Sequence, residues 1–434
     1  MRRISILVWI LCACFVSMAG SQQATKPPVG KLSLLRHRMG NHKPRMPGAS
    51  VTQSVNAQAK QDHEAKTWEL GTYPGGTWAA LSSINDFGMA AGFGDVPSVG
   101  ADGVGYTHSL AVSLFGPHAS EWIDLGTLGG EQSRGWEEPS ITISNTGLIV
   151  THSTAQDGQV HAVAWTKDSG MVDLGTLADT GNPKYRFHNS SYACVTNRFG
   201  TLIAGSSGVD GAHSVPAVWT PRKIWKNGDF VTQWQIHKLE TKGLPDVPNW
   251  DVYGINDDGQ IDAVGYTDND SIVVSVLWNP RLDGNGWEPT MLLPSPVYPK
   301  PIAFHINDNG QITGVVLSLD ENIWIPVLWK PLDAKRARYS RPIQFGVPAG
   351  FTGCEAVNSN EVGDVTGDCY NDTQWVPAHW NTKNPAFSEL LSFPGDWGFA
   401  WGVNIYGTAA FTYGGGLNCS ADTFGSCGGA TQLH

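Results

Sequence analysis

The sequence predicts an all-β fold, a β-propeller of seven four-stranded blades, on three observations. The chain of 434 residues repeats itself seven times, at a spacing of roughly fifty residues, which is the signature of propellers and stacked arrays. Each repeat carries the same landmarks in the same order. No stretch of the repeats reads as a long helix.

The first landmark is an apolar strand centred on Leu70, Leu125, Leu174, Leu239, Leu292, Phe345 and Leu390. The second is an Asn-x-x-Gly turn with its glycine at 88, 147, 200, 259, 310, 363 and 407; Ser144 replaces the Asn in one copy. Asn supports a tight turn through its side chain, and glycine accepts the positive φ that closes it, so each turn marks a β-hairpin. The third is a short run ending in Trp165, Trp219, Trp278, Trp329 or Trp380, with Val112 in the equivalent place of the first copy. Runs such as Ala162-Val-Ala-Trp165 are β-branched and aromatic, as buried strands are.

Leu strand, hairpin and Trp strand make four strands per repeat. One such sheet leaves a face bare, and stacking the repeats in a ring covers it. The seventh repeat lacks a Trp-type strand. Residues 49–56 (Ala49-Ser-Val-Thr-Gln-Ser-Val-Asn56) alternate as a strand does and are the candidate to close the ring.

Four segments are expected. Residues 1–20 read as a secretory signal: Arg2-Arg3, an apolar run to Met18, then small residues. Residues 21–61 form a polar, basic linker. The propeller spans 62–416, and a tail containing Gly and Cys occupies 417–434. The signal run is too short for a membrane span, so the mature protein is expected to be secreted, extracellular or periplasmic. Residues 1–61 hold nine Lys or Arg and no acid, so the formal charge of −11 for the chain becomes −20 over the repeats. A domain this acidic excludes nucleic acid as a partner class.

Cysteine placement fits an oxidising compartment. Cys354 and Cys369 lie six residues on either side of the turn at Asn360–Gly363, so they should face each other across a hairpin and form a disulfide. Cys419 and Cys427 are candidates for a second bridge in the tail. No Cys-x-x-Cys or His cluster suggests a metal, and no cofactor is expected.

His161-Ala-Val-Ala-Trp165, Val172-Asp-Leu-Gly-Thr-Leu177 and the Ile-Asn-x-x-Gly strings resemble the HAF family of probable extracellular repeats, named for a His-Ala-Phe motif. The resemblance covers roughly residues 66–415 and is strongest in Trp122–Gly130, His161–Leu177, Ile255–Gly265 and Ile306–Gly314. Val163 stands where the family has Phe, and the later copies lose the Leu-Gly-Thr-Leu form. The resemblance implies an exported bacterial repeat protein and carries over no catalytic residue.

Candidate chemistry is sparse. The Asp-rich segments Asn256–Gly259 and Thr267–Asp270 read as turns rather than calcium loops, since they lack the converging acids of such a loop. His161 and its counterparts His108 and His213 sit in the repeat motif, which points to a structural role, as recurrence does for Asp124 and Asp173. Tryptophan is in excess, with 18 in the chain. Trp78, Trp136, Trp250 and Trp397 all fall shortly before the turn landmark, in one class of loop. Such rings either pack between blades or bind a ligand on one face of the ring.

These observations predict a binding or scaffolding module, a monomer that recognises a glycan or cell-surface protein, rather than an enzyme. The alternative is an extracellular carbohydrate-active hydrolase or lyase with acids in the propeller channel, for which unpaired carboxylates must converge near the ring axis.

Overall fold

The computed structural model describes residues 67–99, 105–133, 141–182, 190–209, 213–226, 228–319, 323–333, 336–414 and 426–433. It is a seven-bladed β-propeller: seven four-stranded antiparallel sheets arranged in a ring. The helix among the described residues is a single 3-10 turn, Leu177–Thr180. Blades I to VI occupy residues 79–124, 142–173, 191–238, 249–291, 300–344 and 353–390. The segments 1–20 and 21–61, including the strand expected at 49–56, lie outside the described residues.

Blade IV shows the plan. Its inner strand is Asn249–Ile255, followed by Ile261–Tyr266, Val273–Pro280 and the outer strand Trp287–Met291. The Asn-x-x-Gly turn joins the first two, as expected from the sequence. All seven turn glycines have positive φ, between 67° and 112°, where a side chain would be strained. Ile261, just past the turn, pairs with Trp278 at the far end of the third strand. The Asn-x-x-Gly turns therefore share one end of the ring with the turns between third and outer strands. Connections from one blade to the next lie at the other end.

The phase of the repeat differs from the sequence expectation. Each Leu strand pairs back onto the Trp strand that precedes it, as Val163 with Asp173 shows, so it is the outer strand of that blade and not the first strand of the next. The short link between them dictates this, because neighbouring strands joined by a tight turn pair with each other. The first Leu strand, Thr67–Gly71, is consequently left over. It closes the ring as the outer strand of blade VII, beside Ser426–Gln432, Thr408–Gly414 and Trp397–Val403. Residues 426–432, placed above in a tail, thus supply the missing third strand. In blade VI the landmark shifts by one: Leu391 N–H bonds to Pro377 O, while Leu390 is 39% exposed.

The Trp and Leu landmarks are partners across blade boundaries. Trp219, Trp278, Trp329 and Trp380 are fully buried. Their indole N–H groups donate to carbonyls at the Leu landmark of the preceding blade: Leu174, Glu240, Leu293 and Gly346, at 2.7–3.0 Å. In blade I, where Val112 replaces the Trp, Trp122 of the outer strand donates to Leu70 O of blade VII at 3.0 Å. Each such ring contributes on the order of 2–3 kcal/mol of burial while its one polar atom stays satisfied.

The motif His and Asp also pair. His108 Nδ1 lies 2.7 Å from Asp124 Oδ1, and His161 Nδ1 lies 2.8 Å from Asp173 Oδ2. Burial opposes ionisation of both carboxyls, but the histidines and the Gly126 and Gly175 N–H groups outweigh it and hold them below their ordinary range. The Cys354–Cys369 disulfide joins register partners of the first two strands of blade VI. Cys427 is disulfide-bonded as well, and Cys419 lies outside the described residues. Cys194 is half-buried.

Candidate functional site

The turn Asn does two jobs. Its Oδ1 caps its own turn, as when Asn256 Oδ1 accepts the Gln260 N–H at 2.9 Å. Its Nδ2 reaches the next blade. Asn85 donates to Ser144 O, Asn256 to Asn307 O, Asn307 to Asn360 O, Asn360 to Asn404 O and Asn404 to Asn85 O, at 2.8–3.1 Å. Asn197 instead bonds Asp257 Oδ1 at 3.2 Å. Where Ser144 replaces Asn, the backbone N–H of Asn145 bonds Arg198 O at 2.7 Å. A belt of hydrogen bonds thus runs round one mouth of the channel.

The residue after the landmark lines that mouth in six blades, Asp86, Asn145, Arg198, Asp308, Glu361 and Ile405, and in blade IV Asp257 lies against Arg198. Arg198 is the centrepiece. Its guanidinium lies 3.0 Å from Asp257, 3.0 Å from Asp308 and 4.0 Å from Glu361, in three successive blades. Burial disfavours the Arg198 charge, yet the three acids more than offset it and raise its pKa. Asp257 and Glu361 are pushed upward, first by burial and then by the neighbouring Asp308. Asp86 is tied to the amide of Asn145 and accepts the Ile405 N–H. The acids of the Asn256–Gly259 turn are engaged too, Asp258 by Arg336.

Behind the mouth is a cavity of about 140 Å³. A β-bulge recurs in the inner strand of six blades. It turns Ser82, Tyr253, Phe304, Val357 and Trp401 toward the cavity, as bulges commonly re-aim a side chain. His305 and Asn358 add polar groups. His305 keeps one edge on the cavity but sits deep in the channel; burial lowers its pKa to about 4, so the imidazole is neutral at pH 7. Its Nδ1 accepts the Ser359 N–H at 3.3 Å. Aromatic walls with neutral donors and acceptors suit a polar, uncharged ligand group.

The next turn residue points outward. Phe87 is 70% exposed, Phe199 54% and Tyr406 70%, with Val362 also exposed. These side chains form a crown around the mouth. Sequence reasoning missed it, although aligning the two variable positions of the seven turns displays both the charged ring and the aromatic one.

The four tryptophans singled out from the sequence are not gathered here. Trp78 and Trp397 stand at the start of inner strands, at the opposite end of the ring, and are half-buried. Trp78 packs on the cluster of Phe93 and Leu125, and Trp397 lies 5.6 Å from Phe399, edge to face. Trp250 is buried, 5.4 Å from Trp278, and presents no face to solvent. Trp136 lies outside the described residues.

No protein-family model matches the sequence, and no curated protein matches it. Among solved structures the chain is similar to a puromycin hydrolase S511A mutant complexed with PGG, with 11% identity and a TM-score of 0.50 over 77% of this chain and 50% of that one. It is also similar to the Pyrococcus horikoshii acylaminoacyl peptidase (9% identity, TM-score 0.43, 78% and 49%). A third is the Penicillium chrysogenum alpha-L-arabinanase complexed with arabinobiose (10% identity, TM-score 0.36, 85% and 98%). The chain spans half the length of the hydrolase and about half that of the peptidase. At these identities the likeness is one of fold alone.

Proposed function

We propose that the chain is a secreted, monomeric, non-enzymatic binding or scaffolding module, built of HAF-like repeats, that engages a glycan or a surface protein. The observation that carries this reading is the crown. Phe87, Phe199 and Tyr406 stand on turns whose backbone is pinned by the Asn belt, so little order has to be imposed when they meet a partner. Exposed aromatic rings on a rigid support are the anchors that binding surfaces use. The Cys354–Cys369 bridge is compatible with export. Among the described residues no helix is long and apolar enough to cross a membrane.

The hydrolase reading has one feature in its favour, the convergence of Asp257, Asp308 and Glu361 at the channel. Glycoside hydrolysis needs one carboxyl free to give a proton and another free to attack or activate water. Here all three share Arg198, which favours binding over turnover.

The test is a glycan array probed with the exported chain, with released sugar followed on every hit. Binding without release, weakened by Phe87→Ala with Tyr406→Ala, supports the proposal. If Trp78→Ala with Trp397→Ala weakens binding instead, the opposite face is the site. Release of sugar overturns the non-enzymatic reading.

A further inference from the structure

The third strand of blade III runs for 13 residues, Ser214–Lys226, and its outer strand for 10, Asp229–Lys238. The corresponding strands of blade II have seven and four. The second strand of blade III ends its pairing at Ile203 with Trp219. Beyond that point only two strands continue, from Thr220 with Gln235 out to Lys226 with Asp229. They form a two-stranded arm that projects from the same end of the ring as the crown.

The arm is a costly object unless it has a use. A bare ribbon is marginal in water, and large exposed apolar groups on soluble proteins mark contact sites. Near its tip Trp225 and Phe230 are register partners, each 64% exposed, with ring centroids 4.8 Å apart in an edge-to-face pair. Lys223, two residues before Trp225, is exposed on the same face of the ribbon, and Arg222 is exposed on the opposite face. Lys223 Nζ donates to Thr232 Oγ1 at 2.8 Å. From Thr220 to Gln235 the sequence holds three Lys or Arg against one acid, on a repeat domain of net charge −20.

We infer that this arm is a binding element for an anionic polysaccharide, one bearing carboxylate or sulfate groups. Trp225 and Phe230 supply faces on which sugar rings stack. Lys223 beside the rings, and Arg222 on the reverse face for a polymer that wraps the narrow ribbon, supply charge-assisted hydrogen bonds to the acid groups, Arg in the bidentate geometry that suits them. The sign of the arm is what selects the ligand class, since the acidic body repels an anionic chain and the arm attracts it. The inference rests on the glycan-binding reading above and names its ligand class.

The experiment is affinity electrophoresis of the exported chain through gels containing polygalacturonate, dextran sulfate or neutral dextran. Retardation by the two anionic polymers and not by neutral dextran is expected, fading between low salt and 0.5 M salt as screening sets in. Trp225→Ser with Phe230→Ser, and separately Arg222→Glu with Lys223→Glu, should each weaken retention at least tenfold. All four side chains are exposed, so an unchanged melting temperature confirms that the variants fold. Phe87→Ala with Tyr406→Ala serves as the crown variant. No retention by either anionic polymer, or retention indifferent to both arm variants, overturns the inference. Neutral-glycan binding that only the crown variant abolishes would sink the arm and leave the general reading standing. Arm-dependent binding to anionic vesicles, or arm-dependent self-association on sedimentation, without polysaccharide retention would also overturn it.

Discussion

Asn404 and Asn85 are 319 residues apart, and the side-chain amide of the first donates to the backbone carbonyl of the second at 3.1 Å. This bond carries the Asn belt across the junction between blades VII and I. Thr412 adds to it, its hydroxyl bonding both the N–H and the carbonyl of Leu81.

Replacing Asn404 separates its two jobs. Asn404→Asp keeps an acceptor for the Tyr406 and Thr408 N–H groups and loses the donor to Asn85. We expect a loss of about 1–2 kcal/mol in urea unfolding at pH 8, and more for Asn404→Ala, which loses the turn cap too. An Asp variant as stable as the parent would show that the inter-blade bond contributes nothing.

Arg198→Met should leave Asp257, Asp308 and Glu361 facing one another without their cation. Because Arg198 retains about a third of its side-chain exposure, the expected loss is roughly 1–3 kcal/mol at pH 8 rather than that of a fully buried pair. The raised carboxyl pKa values of Asp257 and Glu361 would climb further in the variant. Stability of such groups is lost as pH rises through their folded-state pKa, so the deficit should shrink toward pH 5. A deficit independent of pH would contradict this account.

Asp262 is fully buried on the second strand of blade IV, and among the described residues neither carboxyl oxygen has a hydrogen-bond partner in another residue. Gly254 makes room for it: a Cβ there would stand 1.9 Å from Asp262 Oδ1. Burial pushes its pKa up to about 7. The folded state therefore holds a proton that the unfolded chain releases near pH 4, and stability should fall by up to roughly 1.4 kcal/mol per pH unit between those values. Asp262→Asn should flatten that slope and be the more stable protein at pH 8. Equal slopes for both proteins in urea titrations from pH 4 to 8 would refute the assignment.

The Cys354–Cys369 bridge closes a loop of 15 residues. Its removal by Cys354→Ala with Cys369→Ala should cost about 3 kcal/mol on chain-entropy grounds, somewhat more with the cavity left in a buried site. Thermal melts of the parent and the double variant under non-reducing conditions measure it.

Much of the fold was legible because its devices are local. The Asn and Gly of each turn, the Cys pair astride Asn360–Gly363 and the period of the landmarks all act within a few residues. The phase of the blades was not legible, since it depends on which neighbour the Leu strand pairs with. Nor was the second role of Asn, whose Nδ2 acts on a residue about fifty positions away in the chain, as Asn256 does on Asn307. Trp250 shows the limit for the site. Its loop position left packing between blades and ligand binding both open, and contact with Trp278 is what places the ring inside. The arm did leave a trace: Trp219 and Leu239 are twenty residues apart, whereas Trp165 and Leu174 are nine apart.

Blade VII is assembled from Thr67–Gly71 and from three strands that begin at Trp397. During synthesis the first of these strands must wait unpaired while six blades are made. The ring can shut only after residue 432 has emerged. Loss of a few residues from Ser426–Gln432 would therefore remove more than an end: it would strand Thr67–Gly71 without its partner and leave the whole circle open.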